Sequence, residues 1–510
     1  MKSRRSIATL AMLSLLLAAA AGCARSTHTP ATKSQLTVLE LASTYGTWSG
    51  LDPLTNRAAS VNHDLFNAIY GQLFLRDASG HITPGLASGY TVSDDDLTVD
   101  IALRAEVKFS DGTPFDATAV AFNIQRDLAH DAACICSQNF AAVSSVSTNG
   151  PADVLLHLTS PDPAIIDAFL DAAPNWIASP TAMGTLSAAE FALKPIGAGP
   201  FVVVSDQLSS TLVLQANPTY WRSGYPKVQR LMFRSVANDT TAYEALRANE
   251  AQIYMNLATP AILPQMKDQF TVLPIPATQT EAVNLNPRVL PFTSLAAREA
   301  IYYATDPNEI NNFIFHGAGT VSQSPGGPGD LYWEGQVPGY RTFDLDKAKS
   351  LVSQLGGLSF TISTLNTPIQ VPIVEALQKQ WALAGIKATI DLITIPQAVK
   401  ATQAGTLQAV ATEVGSYNPS LMPGLAASYA STGLFSLVRD EQLDNLIASA
   451  AAEQTPTAAG ASYHAVYTAL NDKAYAPLLF TTNQWNVTTH AVHGIPNGTG
   501  EIAWDEVSIT

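Results

Sequence analysis

The sequence predicts an α/β protein built from more than one lobe. Three features carry that expectation: a strand, helix, strand unit late in the chain, strands alternating with capped helices early in it, and a length beyond one core. The late unit runs from "LSFTIST", Leu358 to Thr364, through the amphipathic "VPIVEALQKQWALAG" ending on Gly385, to "IKATIDLI". A helix of that length between two strands allows a parallel right-handed crossover. Behind a short leader the body is roughly 490 residues, enough for two to four domains or lobes.

The earlier elements follow in order. "QLTVLEL", Gln35 to Leu41, is β-like and apolar on both faces, as a buried strand would be. "VNHDLFNAIYGQL" spaces Val61, Leu65 and Ile69 four apart, one face of a helix. "LTVDIALR" alternates Val99, Ile101 and Leu103, a strand with one covered face. The Asp111-Gly112 turn then leads to Asp116, an N-cap for a helix carrying Val120, Ile124 and Leu128. The Gly/Pro-rich "SQSPGGPGD", Ser322 to Asp330, reads as a loop, and no solenoid repeat is present.

At the amino end Lys2, Arg4 and Arg5 precede an apolar run from Ile7 to Ala21, the order of an export signal. The run is short for a membrane span, which needs about 20 apolar residues. "AAGC", Ala20 to Cys23, resembles a bacterial lipobox, with Ala20 where Leu is usual, and the Ser/Thr/Pro stretch after it suits a flexible tether. Cys23 is therefore the expected lipidation site. "SRRSI" also resembles a twin-arginine signal, so either export route fits.

Net charge is −15 and Lys/Arg clusters are lacking, which argues against a nucleic-acid partner. The chain has 3 cysteines, too few for a disulfide framework. His130, Cys134 and Cys136 have spacing unlike the usual zinc motifs, so a local disulfide or free thiols are expected there and no metal. The chain holds no Walker loop, no H-E-x-x-H, no G-x-S-x-G and no full dinucleotide glycine pattern. "HGAGTV" lacks the third glycine and a leading strand. The expectation from these absences is a chain that needs no cofactor and is not an enzyme.

Four blocks in order resemble the extracytoplasmic solute-binding proteins of ABC importers, in the peptide, dipeptide and nickel group (family 5 type). They are "ITPGLASGYTVSDDDLTVDIALRAEVKFSDGTPFDATAVAFNIQR" from Ile82, "PIGAGPFVV" with "LQANPTYWRSGYPKVQRLMFRSV", "LNPRVLPFTSLAAREAIYYATDPNEI", and "FDLDKAKSLV" with "LAGIKATI". The resemblance runs from about Leu36 to the C-terminus. It implies a periplasmic-binding-protein type II fold, with two main lobes joined by a two-segment hinge plus an inserted extra lobe. Lobe I is expected at 36–64, 191–281 and 486–510, lobe II at 65–190, and lobe III at 282–485, with hinges near "EAVNLN" and "TTNQWNV". A signal peptide at 1–22 and a linker at 23–35 would come first. The resemblance further implies a monomer, tethered by lipid to the outside of the cell membrane, that closes on a solute and delivers it to a permease and its ATPase.

Peptide binders of this family hold the ligand's amino terminus with an aspartate in a segment resembling W-x-x-D-Y-x-D-P. The matching stretch is "TEVGSYNPS", with Ser416 in the aspartate position, Tyr417 after it and Glu413 near the tryptophan position. A buried ammonium needs an opposed charge, and Glu413 is the carboxylate at hand. Candidate cleft residues are thus Glu413, Ser416 and Tyr417, together with Tyr45 and Trp48 after the first strand and Asn483 and Trp485 at the second hinge. His316 and Trp333, beside the glycine-rich loop, are weaker candidates. Three readings stay open: an oligopeptide or peptide-like solute; a sugar-like, chelate or hydrophobic solute; and a receptor or interaction protein on the same fold.

Overall fold

The structure, a computed structural model, describes residues 35–41, 48, 50–54, 62–78, 81–129, 140–170, 172–257, 259–367, 369–415, 422–453, 456–498 and 500–510. Cys23, Tyr45, His130, Cys134, Cys136, Ser416 and Tyr417 lie outside them. Among the described residues no helix is long and apolar enough to cross a membrane.

Three sheets organise this α/β body. The first has seven strands in the order Thr271–Ile275, Gln484–Thr488, Ile253–Leu257, Gln35–Leu41, Arg230–Val236, Thr211–Ala216 and Phe201–Gln207. Gln35–Leu41 lies within it, parallel to both neighbours. Leu36 and Val38 enter one hydrophobic core while Leu39 enters another, so both faces are covered as its unbroken apolar sequence requires. The helix His63–Tyr70 packs Leu65, Phe66, Ile69 and Tyr70 into the first of these cores. It joins the seven-stranded sheet, although its number falls in the range expected for the inserted lobe. Gly197 and Gly199 press against this helix end: a Cβ would lie 2.4 Å and 2.6 Å from the Ile69 carbonyl oxygen. That approach explains the glycines of "PIGAGPF".

The second sheet, Ala87–Val92, Thr98–Leu103, Asp153–Leu158 and Val143–Asn149, is antiparallel throughout. Val99, Ile101 and Leu103 meet Val120 and Ile124 of the helix Ala117–Leu128 in a core of their own. Asp116 caps that helix, its carboxylate accepting from the Ala119 N–H at 3.0 Å.

The third sheet has the order Gln279–Leu285, Ala409–Gly415, Leu358–Leu365, Ile386–Ile393. Leu358–Leu365 pairs in parallel with both neighbours, so the expected crossover through the helix Gln370–Leu383 is present. Gln279–Leu285 closes one edge, antiparallel to Ala409–Gly415.

The chain passes between the seven-stranded sheet and the body around the third sheet at two places near each other. One is 276–278, between Thr271–Ile275 and Gln279–Leu285; the other is 482–483, between Gln484–Thr488 and Phe480–Thr481, a short strand that pairs with Thr320–Val321 and follows Leu479, whose N–H donates to the Glu281 carbonyl at 2.8 Å. The stretch "EAVNLN" is therefore sheet, and the crossing lies just before it. The Ala277 N–H donates to Asn483 Oδ1 at 3.2 Å, tying one crossing to the other.

On the helix Ala117–Leu128, Asp127 is 3% exposed and its Oδ1 has no partner. Burial raises its pKa from 3.8 to about 8, with Arg126 opposing and Asp52 adding to the shift. The folded chain holds this proton between those limits and the unfolded chain does not. Stability therefore falls as pH rises through the window, and the contribution is fully present only below it. Asp127→Asn is expected to raise the melting temperature at about pH 8 and to leave it unchanged near about pH 4. A thermal melt series across pH checks this, and parallel curves at every pH would contradict it.

Candidate functional site

A cavity of about 1200 Å³, counted to its open mouth, lies where the two crossings meet. Its walls come from both sides. Asn256, Ile275, Gln484 and Asn486 belong to the seven-stranded sheet, while Glu281 and Glu413 belong to the third. His63, Asp64, Arg76 and Glu501 supply its other titratable groups.

Strand register creates the third-sheet wall. Glu281 and Glu413 are direct partners across the antiparallel pair, so their side chains leave one face of the sheet about 5 Å apart at Cβ. Glu281 is 3% exposed. Gln370, at the start of the Gln370–Leu383 helix, donates through Nε2 to both Glu281 oxygens, at 3.0 and 2.9 Å. Thr364 Oγ1 donates to the Ala411 carbonyl at 2.9 Å beneath them, which fixes the neighbouring strands. Burial, and then the charge of Glu413, push Glu281 well above the usual carboxylate range, while the Gln370 bonds oppose the shift. Glu281 is thus held toward its protonated form, beside a second carboxyl group.

The opposite wall is also acidic and similarly muted. His63 Nε2 lies 3.3 Å from Asp64 Oδ2. Burial raises the Asp64 pKa against the effect of His63. Behind it, at the end of the Gln35–Leu41 strand, Glu40 is pushed up to about 8 by burial and then by Asp64. Asn256 supplies a kink: its φ is 54°, the ladder of its strand shifts register between Tyr254 and Leu257, and its N–H donates to Asn486 Oδ1 at 3.2 Å. A break of this kind turns side chains toward a site instead of along a ladder.

The expected site residues separate on this geometry. Glu413 lines the cavity. Asn483 joins the two crossings at its edge. Trp48 is wholly buried under the seven-stranded sheet, its Nε1 donating to Asp206 Oδ1 at 2.7 Å. Trp485 packs with Leu39, Tyr254 and Val487 in another core, while Gln484 and Asn486 on either side of it line the cavity. That reversal is the period-two alternation of a strand, which places neighbours on opposite faces. Both tryptophans therefore belong to cores and not to the cavity wall. Trp333 donates to Ser322 Oγ at 2.9 Å, and His316 caps a helix in the left-handed region at φ 53°.

Glu281, Gln370, Arg76, Asp64 and Asn486 are added by the structure. Their trace in the sequence is a charged residue within a short strand or helix: Glu281 in "QTEAVNL", Arg76 ending "FLR", Asp64 in "HDLFNAIY". Such residues are costly to bury without a partner.

Comparison with known proteins places the whole arrangement. Residues 81–436 match the bacterial extracellular solute-binding proteins, family 5 middle. The chain is 28% identical over 374 residues to the glutathione-binding protein GsiB of Salmonella paratyphi A (strain ATCC 9150 / SARB42), covering 72% of this chain and 71% of that protein. Among solved structures it resembles the binding protein AgaA in complex with agropinic acid from A. tumefacien R10, with a TM-score of 0.78 at 20% identity over 93% of this chain and 99% of that one. It also resembles the ABC transporter-associated periplasmic binding protein DppA of Helicobacter pylori in complex with the peptide STSA, with a TM-score of 0.77 at 20% identity over 94% and 99%. These structural likenesses establish the fold, the two-lobed type II binding-protein architecture. The chain belongs to the bacterial extracellular solute-binding proteins of family 5, which serve ABC importers.

Proposed function

We propose that this protein is the capture subunit of an importer, tethered by lipid at Cys23, and that it takes an amine-bearing, peptide-like solute between its two main sheets. The observation that carries this reading is the Glu281–Glu413 pair at the cavity wall. Two carboxyl groups so close in a shielded place cannot both ionise without a cation between them. A solute ammonium supplies that cation. As it enters, Glu281 gives up its proton and the pair accepts charge-assisted hydrogen bonds from the ammonium. Glu413 and Glu281 then do the work that an aspartate at position 416 does in the peptide binders this chain resembles.

Capture follows from differential affinity. A solute touching both walls stabilises the closed arrangement more than the open one, and the permease reads the closed form. Two of the ligands named for relatives, glutathione and the peptide STSA, carry a free amine. A sugar-like or purely hydrophobic solute finds no use for the acid pair, and a receptor without cargo would not need it.

Two results are expected. In calorimetric titration with glutathione and a panel of short peptides, at least one compound with a free amine binds. Its N-acetyl form and the Glu413→Gln variant each lose about 30-fold or more, the roughly 2 kcal/mol lower bound for breaking a buried charged contact. Tight binding of N-acetylated compounds would overturn the amine reading.

Binding also releases a proton, because Glu281 ionises in the complex, and affinity rises with pH until its raised pKa is passed. Titration in buffers of different ionisation enthalpy measures the proton count, and uptake instead of release would contradict the scheme. In Glu413→Gln without ligand, the Glu281 carboxyl titrates at lower pH than in the parent, as carboxyl NMR would record.

A further inference from the structure

Arg76 ends the short strand Phe74–Arg76 and is held by its backbone from two sides. It pairs with Ile82 across an antiparallel ladder, and its carbonyl accepts from the Glu501 N–H at 3.1 Å. Its side chain lines the cavity, yet the residue is only 6% exposed and its Nη2 has no hydrogen-bond partner. An arginine does not discharge by losing its proton, so burial leaves a full positive charge to be balanced.

Arg76 makes no ion pair with any described residue, although three titratable groups line the same side of the cavity. Asp64 lies beside His63. Glu501 accepts a short hydrogen bond from Gln72 Nε2. The remaining acids of the lining, Glu281 and Glu413, sit on the other sheet.

We infer that Arg76 is the anchor for a carboxylate of the solute, so that the cargo is a zwitterion whose amine meets Glu281 and Glu413 while its carboxylate meets Arg76. The inference rests on the cavity being the solute site, as proposed above. Guanidinium and carboxylate match as a planar two-pronged pair. A phosphate dianion fits less well, because four carboxyl groups share the lining and each added negative charge meets them. The two anchors stand on different sheets. A solute holding both charges therefore bridges the walls, and a solute with only one does not. Arg76 is in this sense a specificity residue: it selects cargo that closes the cleft.

Two measurements test this. Crystals of the unliganded protein soaked in sodium bromide should show an anomalous peak against the Arg76 guanidinium and none there in Arg76→Met. Finding the guanidinium paired with Glu501 or Asp64, with no bromide, would overturn the inference. In titration with peptides offered as free acids and as C-terminal amides, the wild type should prefer the acid by about tenfold or more. Arg76→Met should bind both at the amide level, with Arg76→Lys in between, and matching thermal melts show that each variant is folded. Equal binding of acid and amide by the wild type overturns the proposal. If neither form binds, the amine reading at Glu413 fails while the bromide map still decides Arg76.

Discussion

Glu281 and Glu413 face each other across one antiparallel strand pair at a cavity wall, and the proposed selectivity of that cavity depends on their mutual repulsion. Strand register holds the two backbones opposite each other, and Gln370 grips Glu281 by both oxygens. Burial and the neighbouring carboxyl favour the protonated form of Glu281. In the proposed scheme an incoming ammonium exchanges for that proton and draws the walls together.

The scaffold serves this exchange. One sheet carries the acid pair, while the cavity side of the seven-stranded sheet carries Asn486, Gln484 and the kinked Asn256. Among the described residues the crossings 276–278 and 482–483 connect the two sides, and a hydrogen bond from Ala277 to Asn483 joins the crossings. Their cores are separate, and in the proposed scheme the two sides approach or part as bodies about these crossings. The antiparallel third body, with its own core, lies outside this pairing.

Much of the fold was legible in the sequence because apolar periodicity reports directly on which face is covered. Leu36, Val38 and Leu39 showed a strand buried on both sides, and Val99, Ile101 and Leu103 a strand buried on one. Asp116 declared a helix start through its chemistry. The site was legible only in part. Glu413 was found because a missing aspartate left it as the nearest carboxylate, but its partner Glu281 lies over a hundred residues away and meets it only through strand pairing. Aromatic residues misdirected the search: Trp485 occupies the right strand and the wrong face, one residue from two cavity residues. Periodicity tells that faces alternate and does not tell which one looks into the cleft.

The most direct test is native mass spectrometry of the protein purified from its own host, with the solute released by denaturation and identified. The account predicts a molecule carrying both a basic amine and a carboxylate, bound one to one. A solute without an amine, held as firmly, would contradict it.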